Sequence, residues 1–422
     1  MKKILFIGKA PPIQGGVSIN SLLAAISLVG LGYEVHFLSN RLGVEEEYKQ
    51  VGGRSFEEIP NLIFVDILTE NNLFHIPYSA LYAERLTGRA LSLLENNNYS
   101  LVVGWYLLPY GFAATIASVS MNIPFVLLHA GSDLNRLAEN KDIASTIKYC
   151  LKQAKAVITP SSDLSVNRLV DLGAPRSSIV TYTKGIPVDL QVGDGASGSL
   201  FDILKDVLEE SSSHGIFGLD WNSINSEGMK RSETLLTAIC YGKLSKSRKP
   251  SYLFKLIYDI VKLNNKFRVI FVLSGDQKQI KQLQGLVKQA EISRNVIFTP
   301  PVAPHILVGL LKSCDIGLCI EEDFDVALHL SRVPRELMYY GVIPLVSKSF
   351  LSQPFYKDVL LPRKNCIVID ENFTPNVISD LIESSEKLEE LKHGVDISSR
   401  YIEGSVGTIN PISIIIARYA EG

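Results

Sequence analysis

Short apolar runs recur along the chain, and most are followed by a small or polar turn and then by a longer amphipathic stretch. Lys3–Ile7 and Gly32–Ser39 are two such runs, and they flank a helical stretch from Ser18 to Leu31. Runs of this length fit strands that are buried on both faces of a parallel sheet. Strand, helix and strand in this order form a parallel βαβ unit with a right-handed crossover. The pattern therefore predicts an α/β fold.

A second series of the same kind begins near Leu235–Cys240. The residues before it, 191–232, are rich in Gly and Ser, which is typical of a linker or a surface insertion. We therefore predict a first domain over residues 1–190, a linker or insertion over 191–232 and a second domain over 233–399. With 422 residues, 46% of them hydrophobic, the chain is long enough for more than one core.

One stretch has the length and polarity of a membrane span, because Asn96 to Ser132 contains no Asp, Glu, Lys or Arg. Its Gly and Pro residues divide it into a strand at Ser100–Trp105, a helix at Phe112–Met121 and a strand at Pro124–Leu128. Buried strands of a parallel sheet have this composition. We therefore predict buried sheet and helix here, and no membrane span.

Charge and cysteine usage exclude several classes of protein. The net charge is −2, so there is no general attraction to nucleic acid. The five cysteines are scattered without a C-x-x-C pair, which argues against a zinc site or a disulfide framework and fits a reducing cytoplasm. The apolar start before Gly8 is too short for a signal peptide. We expect a cytoplasmic protein that does not bind nucleic acid.

The loop after the first strand carries Gly15-Gly16 directly before a helix. Two glycines allow the backbone to approach a ligand closely at the helix start. The loop is not G-x-G-x-x-G, and Ser39-Asn40 ends the second strand where a dinucleotide site has an acidic residue for the ribose. These features argue against NAD.

The stretch from Ser313 to Ser347 follows the order strand, loop, helix and strand. Ser331 is placed to cap a helix that begins near Arg332. A helix start at the carboxyl end of a strand is an anion site, because free amide N–H groups and the helix dipole point there. Glu336 lies about one turn inside, where a carboxylate can accept hydrogen bonds from both hydroxyls of a ribose.

Four cations follow the first strand of the second domain within seven residues, namely Lys243, Lys246, Arg248 and Lys249. A solvated basic turn has the same composition. Their position after a strand, opposite the helix start described above, favours a phosphate site.

The run S-R-V-P-x-E-L-M-x-x-G-x-I-P-L-V-S, residues 331–347, resembles the donor segment of retaining glycosyltransferases of the GT-B fold, namely glycosyltransferase family 4 (glycosyl transferases group 1). In that family a Glu in the place of Glu336 binds the nucleotide ribose. Pro12–Val17 resembles the loop that lines the family's cleft. Gly242-Lys243-Leu244 followed by Lys249 resembles its diphosphate clamp. The resemblance covers nearly the whole chain, apart from residues 191–232 and the far C-terminus.

Two positions depart from the family's pattern. Leu328 stands where the family has a first Glu near the transferred sugar, and Lys243 stands where the family has Arg. Lys keeps the charge of Arg and loses its bidentate fork. Glu321 or Glu322 would replace the missing Glu if the loop were longer, a reading that we do not favour.

The resemblance implies two Rossmann-like β/α/β domains that face a central cleft. It implies transfer of a hexosyl group from a nucleotide-diphosphate sugar, above all a UDP- or GDP-sugar, to a hydroxyl acceptor on a glycan or lipid-linked glycan. The configuration at the anomeric carbon would be retained. Because cations would do the work of a metal, neither a metal nor another cofactor is expected.

The expected site residues divide by role. His129, Lys243 and Lys249 are expected to be catalytic, and Asp133 is expected to receive or orient an acceptor hydroxyl. The expected donor-binding residues are Gly15, Gly16, Lys243, Lys249, Ser331, Arg332, Val333 and Glu336. Lys246 and Arg248 fall outside the clamp positions and are expected to be solvated.

Family members often act on lipid-linked acceptors, so we expect peripheral contact with the inner membrane leaflet. The candidate surface for this contact is formed by Tyr78, Tyr82, Arg85 and Arg89, on or just before one helix. The fold also implies that a helix at about Pro411–Tyr419, within the last residues 400–422, packs back on the first domain.

Three alternatives stay open. Asp323-Phe-Asp325 has the D-x-D spacing with which the other glycosyltransferase fold binds Mn²⁺ and a diphosphate, but that single-domain fold leaves the first 190 residues unexplained. Leu328 and Lys243 would also fit a non-catalytic sugar-nucleotide-binding or assembly subunit. An NAD-dependent oxidoreductase is the third alternative, which the first loop argues against.

Overall fold

The computed structural model describes residues 1–45, 48–52, 59–67, 80–182, 198–213, 235–244, 248–275, 277–321, 331–353, 356–404 and 410–422. Within these ranges the chain forms a seven-stranded and a six-stranded sheet, whose neighbouring strands are parallel. The α/β class and the βαβ order predicted from the sequence are confirmed.

The first sheet has the strand order β3-β2-β1-β4-β5-β6-β7. Its strands are β1 (Lys3–Gly8), β2 (Glu34–Ser39), β3 (Leu62–Asp66), β4 (Tyr99–Trp105), β5 (Phe125–Leu128), β6 (Ala156–Pro160) and β7 (Ile179–Tyr182). The helices of this part are α1 (Gly16–Gly30), α2 (Ala80–Asn96), α3 (Phe112–Met121), α4 (Lys141–Gln153) and α5 (Asp163–Asp171). The uncharged stretch from Asn96 to Ser132 thus forms strand, helix and strand, as predicted.

The second sheet has the order β10-β9-β8-β11-β12-β13. Its strands are β8 (Leu236–Leu244), β9 (Phe267–Gly275), β10 (Val296–Thr299), β11 (Ile316–Cys319), β12 (Ile343–Ser347) and β13 (Ile367–Ile369). The remaining helices are α6 (Leu200–Ser213), α7 (Pro250–Leu263), α8 (Gln277–Gln289), α9 (Pro304–Lys312), α10 (Val333–Tyr339), α11 (Asn376–Glu383), α12 (Ser385–Gly404) and α13 (Pro411–Glu421).

Both sheets are covered on two faces, which explains their continuous apolar strands. Ile4, Leu5, Phe6 and Ile7 of β1 are all fully buried, and they divide between two apolar clusters on opposite sides of the first sheet. Each fully buried side chain of this size contributes roughly 1.5–3 kcal/mol relative to its exposed state. Among the described residues, no helix is long and apolar enough to cross a membrane.

Helix α6 lies in the segment that the sequence assigned to a linker or insertion. Its apolar side chains Ile203, Leu204 and Val207 are buried in the core of the second sheet, and the helix packs on α9. This part of the segment therefore belongs to a packed core. Residues 183–197 and 214–234 lie outside the described ranges, so the predicted domain boundaries stay predictions.

Contacts of two kinds join the parts of the chain. The Val51 amide donates to the Pro301 carbonyl oxygen, and the Ala303 amide donates to the Val51 carbonyl oxygen, both at 2.8 Å. Helix α13 packs on α1, where the Ser413 hydroxyl donates to the Ala24 carbonyl oxygen at 2.9 Å. Helix α13 thus lies against the first sheet, as the fold predicted from the sequence implies.

Candidate functional site

The carboxyl ends of the central strands β1 and β8 approach each other. Lys9 follows β1, and Lys243 lies near the end of β8. Burial is the larger cause that lowers the pKa of Lys9 from 10.5 to about 7, and the nearby charge of Lys243 is the second. Ligands of parallel α/β sheets bind at the carboxyl ends of the strands. The two sheets therefore present their ligand-binding edges to a shared cleft.

Glu336 lies on α10, which docks closely on β11. An added Cβ on Gly317 would lie 2.2 Å from a methyl carbon of Leu337, so this strand position requires glycine. The Tyr241 hydroxyl donates to Glu336 Oε2 at 2.8 Å, and Arg332 Nη2 lies 3.3 Å from Oε1. Burial and the Glu336 carboxylate raise the pKa of Tyr241 well above its usual value.

The carboxylate of Glu336 keeps room for a ligand. Its side chain is 13% exposed, and a carboxylate offers about four lone-pair positions, of which Tyr241 and Arg332 use two. The two protein donors also fix the orientation of the carboxylate. The predicted contact with ribose hydroxyls stays a prediction that this geometry allows.

Arg332 links the second domain to the first. Its Nη1 donates to Asn20 Oδ1 on α1, while Nη2 faces Glu336. Its Nε is buried and has no hydrogen-bond partner among the described residues. Burial raises the pKa of Tyr182, at the end of β7, to about 12, and the charge of Arg332 opposes that shift. Arg332 thus lies between the two domains, and its role in donor binding stays a prediction.

The start of α10 differs from the prediction. Arg332, and not Ser331, occupies the N-cap position, and no side chain caps the helix. Ser331 is buried, and its carbonyl oxygen accepts a hydrogen bond from the Tyr356 hydroxyl at 2.5 Å. The predicted capping role of Ser331 is therefore wrong, because the helix begins one residue later, at Val333. Phosphate binding by the amides of residues 331–333 stays a prediction.

Two of the four cations after β8 are exposed. Lys243 extends from the end of the strand, and Lys249 occupies the N-cap of α7 with a left-handed backbone at φ 43° and ψ 68°. Lys243 lies near the end of β8 and Lys249 at the start of α7, so the two cations flank the connection between these elements, and their role as a diphosphate clamp stays a prediction. Lys246 falls in residues 245–247, outside the described ranges.

Arg248 was expected to be solvated, and this expectation is wrong. Its side chain is buried and forms an ion pair with Glu321, with Nη2 and Nε at 2.6 and 2.9 Å from Oε1. Its Nη1 donates to the Tyr241 carbonyl oxygen at 2.7 Å. The guanidinium packs against Gly242, whose φ is +102°. A Cβ added at this position would lie only 3.2 Å from Nη2, so glycine allows the close approach.

The same ion pair decides the role of Glu321. Its carboxylate is buried against Arg248, and its backbone amide donates to the Ser347 hydroxyl at 2.8 Å. Glu321 is therefore engaged in a buried ion pair and does not replace the Glu that is absent at position 328. Glu322, Asp323, Asp325 and Leu328 lie outside the described residues.

The Gly15-Gly16 turn leads into α1 at the cleft. Gly15 occupies the N-cap position with φ +110°, a conformation that side chains other than glycine rarely adopt. An added Cβ on Gly16 would meet no atom within 4 Å, so open space lies beside the turn. The geometry fits the predicted close approach of a ligand to this backbone.

His129 follows β5 and uses both ring nitrogens in the fold. Its Nδ1 accepts a hydrogen bond from the Gly131 amide at 3.2 Å, and its Nε2 lies 2.7 Å from the Thr159 hydroxyl oxygen. Because Nδ1 is an acceptor, the proton of the neutral ring is on Nε2. A direct proton transfer by this ring would require one of these bonds to open. The catalytic role of His129 stays a prediction.

Asp133 is fully buried and bonded to the backbone. Its Oδ2 accepts from the Leu107 amide and its Oδ1 from the Ala130 amide, both at 3.0 Å. Burial raises the pKa of this carboxyl to about 6, and the backbone amides oppose the shift. Asp133 thus ties together the turns that follow β4 and β5. It has no surface with which to meet an acceptor directly, which corrects the expected contact.

Tyr82 does not belong to the surface that was predicted for membrane contact. Tyr82 is fully buried, and its hydroxyl donates to the Gly43 carbonyl oxygen at 2.6 Å. Tyr78 lies outside the described residues. The proposed face of aromatic and basic side chains is therefore wrong, because its central aromatic residue belongs to the core.

Two further features bear on ligands. Among the described residues, no group of three or more His, Cys, Asp or Glu side chains is arranged to hold a metal ion. A hollow of about 280 Å³, lined in part by Ser161, Arg176 and Thr181, lies after β6 and beside β7. None of the predicted site residues lines it, so we do not assign the donor to it.

Comparison with known proteins finds a family model that is similar to part of this chain. Residues 224–400 match the family model described as glycosyl transferases group 1. No curated protein matches the chain by sequence. The family match covers the second domain, which carries Lys243, Lys249, Arg332 and Glu336.

Solved structures share the fold over nearly the whole chain. HepE from Anabaena, solved with UDP and glucose, has 15% identity and a TM-score of 0.60 over 96% of this chain and 98% of its own. Sucrose-phosphate synthase from Thermosynechococcus elongatus has 12% identity and a TM-score of 0.60 over 99% and 98%. UDP-GlcNAc 2-epimerase from Neisseria meningitidis has 16% identity and a TM-score of 0.50 over 96% and 99%.

At these identities the likeness shows the fold alone, which is GT-B, with two Rossmann-like domains. The single-domain fold with a D-x-D metal site is therefore wrong for this chain. The match of residues 224–400 to the model of group 1 glycosyl transferases agrees with this fold.

Proposed function

We propose that the protein transfers a hexosyl group from a nucleotide-diphosphate sugar to a hydroxyl of a glycan or lipid-linked glycan, with retention at the anomeric carbon. The observation that carries this proposal is the arrangement of Tyr241, Glu336 and Arg332 at the carboxyl edge of the second sheet. It lies in the domain that matches group 1 glycosyltransferases. A fixed, partly exposed carboxylate beside cations fits a ribose and a diphosphate.

Charge development during the reaction defines the roles. Cleavage of the bond between sugar and phosphate builds positive charge on the sugar and negative charge on the departing diphosphate. Lys243, Lys249 and the amides near Val333 would stabilise that leaving group from fixed positions. These cations supply the charge that a metal would otherwise supply, so we propose that no metal is required.

The described carboxylates near the cleft support our proposal for the stereochemical course. Asp133 is buried against backbone amides, and Glu321 is paired with Arg248. Among the described residues, neither is placed to attack the anomeric carbon. We propose a front-face displacement, in which the leaving phosphate helps to take the proton of the acceptor hydroxyl.

Thermal unfolding in the presence of UDP-, GDP-, ADP- and dTDP-sugars tests the donor class. Because HepE was solved with UDP, UDP-glucose is the first donor to try. A raised Tm with one donor, followed by release of its nucleoside diphosphate in the presence of EDTA, would support the proposal. A complete loss of turnover in EDTA, restored by Mn²⁺, would overturn metal independence, and NMR of the product anomer tests retention.

A second candidate function is favoured by two features of the site. The side chains of His129 and Asp133 are hydrogen-bonded within the protein, and Leu328 stands at the position of the family's first Glu. The candidate is a non-catalytic sugar-nucleotide-binding or assembly subunit of the same fold. It predicts a raised Tm with a donor but neither transfer nor slow hydrolysis. Product measurement over hours therefore separates the two candidates.

A further inference from the structure

Lys9 lies between the two domains and has no acidic partner among the described residues. Its side chain is 6% exposed, and its Nζ lies 3.6 Å from the position that a Cβ on Gly15 would take. Among the described residues, the one charged side chain that acts on its pKa is Lys243, which is also a cation. A buried cation that faces another cation is unfavourable. The arrangement calls for an anion that is bound between the two lysines.

Two buried polar side-chain atoms near Lys9 also lack a hydrogen-bond partner in the part of the chain that the structure describes. Gln14 Oε1 and Ser18 Oγ are both buried, and neither has a hydrogen-bond partner among the described residues. The two residues flank the Gly15-Gly16 turn, next to which open space remains. Buried polar atoms are almost always hydrogen-bonded in folded proteins. The Lys9 ammonium and the Ser18 hydroxyl can both donate to an anion at this turn, whereas the Gln14 amide oxygen can accept from a ligand hydroxyl.

We propose that Lys9 is a donor-binding residue, whose ammonium group contacts the diphosphate of the donor from the first domain, opposite Lys243 of the second. This inference rests on the proposed function and adds a residue that neither the sequence motifs nor the family match pointed to. An anion between the two lysines would also hold the domains together across the cleft.

A change in protonation follows from this geometry. With a pKa of about 7, most Lys9 side chains are neutral at pH 8 in the free protein. A diphosphate beside Lys9 favours the ammonium form, so donor binding should take up close to one proton at pH 8. Among the described residues, Lys243 is the charged group that acts on Lys9, and α1 and the Gly15-Gly16 turn carry no titratable side chain.

The test is calorimetric titration of the full chain with UDP-glucose, or with the donor that raises Tm most, in two pH 8 buffers of different ionisation enthalpy. Wild type should take up close to one proton. Lys9→Met should bind about 10- to 100-fold more weakly and take up none, as expected for a lost charge-assisted contact. Lys9→Arg should keep the affinity within a few-fold and lose the proton uptake, because Arg stays charged.

Lys152→Met, at an exposed site on α4, is the matched control and should behave as wild type. A thermal unfolding scan of each free variant shows that it is folded. Wild-type affinity and proton uptake in Lys9→Met, while Lys243→Met is weakened, would overturn the role of Lys9 and leave the proposed function intact. If no nucleotide sugar binds wild type, the proposed function and the role of Lys9 fall together.

Discussion

Replacement of Glu321 by Leu should strongly destabilise the second domain. The substitution removes the carboxylate that lies 2.6 Å from Arg248 Nη2 in a buried ion pair. Arg248 cannot escape by losing its proton, because the pKa of a guanidinium stays above the physiological range even when it is buried. The variant must therefore bury a cation whose remaining hydrogen bond is to the Tyr241 carbonyl oxygen.

The size of the effect follows from buried ion pairs in general. Removal of one partner costs about 3–5 kcal/mol, because an uncompensated charge stays in the core. For a domain of this size, 1 kcal/mol lowers Tm by roughly 2–4 °C. The expected loss is therefore about 6–20 °C. The paired change Glu321→Leu with Arg248→Met should recover most of it, since an apolar pair of similar volume is often neutral.

Thermal unfolding followed by circular dichroism measures these differences. Glu371→Leu is the matched control, because Glu371 forms an exposed ion pair with Lys348 at 3.2 Å. Exposed pairs of this kind contribute about 0–1 kcal/mol. If Glu321→Leu lowered Tm no more than Glu371→Leu does, or if the double variant were the least stable of the three, the assignment of a stabilising buried ion pair between Glu321 and Arg248 would be refuted.

Three further predictions concern ligand and pH. Glu336→Gln should weaken donor binding by about 1.5–3 kcal/mol in calorimetry, since an amide accepts less well from two ribose hydroxyls; an unchanged Kd would remove Glu336 from the site. Lys243→Ala or Lys249→Ala should lower kcat/KM by about 100-fold and Lys246→Ala should have little effect, whereas equal losses from all three would place the clamp elsewhere. The pKa of Lys9 is lowered from 10.5 to about 7, so between these values the unfolded chain holds more protons than the folded protein, and stability rises with pH. From pH 7 to 9 the free energy of unfolding of wild type should rise by about 2 kcal/mol relative to Lys9→Met. Parallel pH profiles of the two proteins in denaturant unfolding would contradict this.

The alternation of apolar runs and amphipathic stretches was enough to predict the two parallel sheets. Strands that are buried on both faces leave a clear record in the sequence, as in Ile4–Ile7. The position of Glu336 was predicted for a similar reason, because it depends on a local run of strand, loop and helix. Local pattern therefore located the domain and the face of the sheet at which the candidate site lies.

Contacts between residues that are distant in sequence could not be predicted from local sequence patterns. Arg248 belongs to a run of cations that looks solvated, yet Gly242 leaves space beneath the strand, and Glu321 approaches from 73 residues away. Lys9 and Asn20 face the second domain, and nothing in their own segments indicates a partner there. Tyr82 and Asp133 have a polar end that suggests a surface, but backbone groups, among them those of the distant residues Gly43 and Leu107, satisfy it in the core. These features depend on how elements pack, which one sequence does not state.

The most direct test of the central claim is a crystal structure of the protein with its nucleotide sugar. We predict that the ribose hydroxyls lie within hydrogen-bond distance of the Glu336 carboxylate, and that the diphosphate lies between Lys243 and the Gly15-Gly16 turn. A nucleotide bound instead in the hollow lined by Ser161, Arg176 and Thr181, with the cleft between the two sheets empty, would contradict the account.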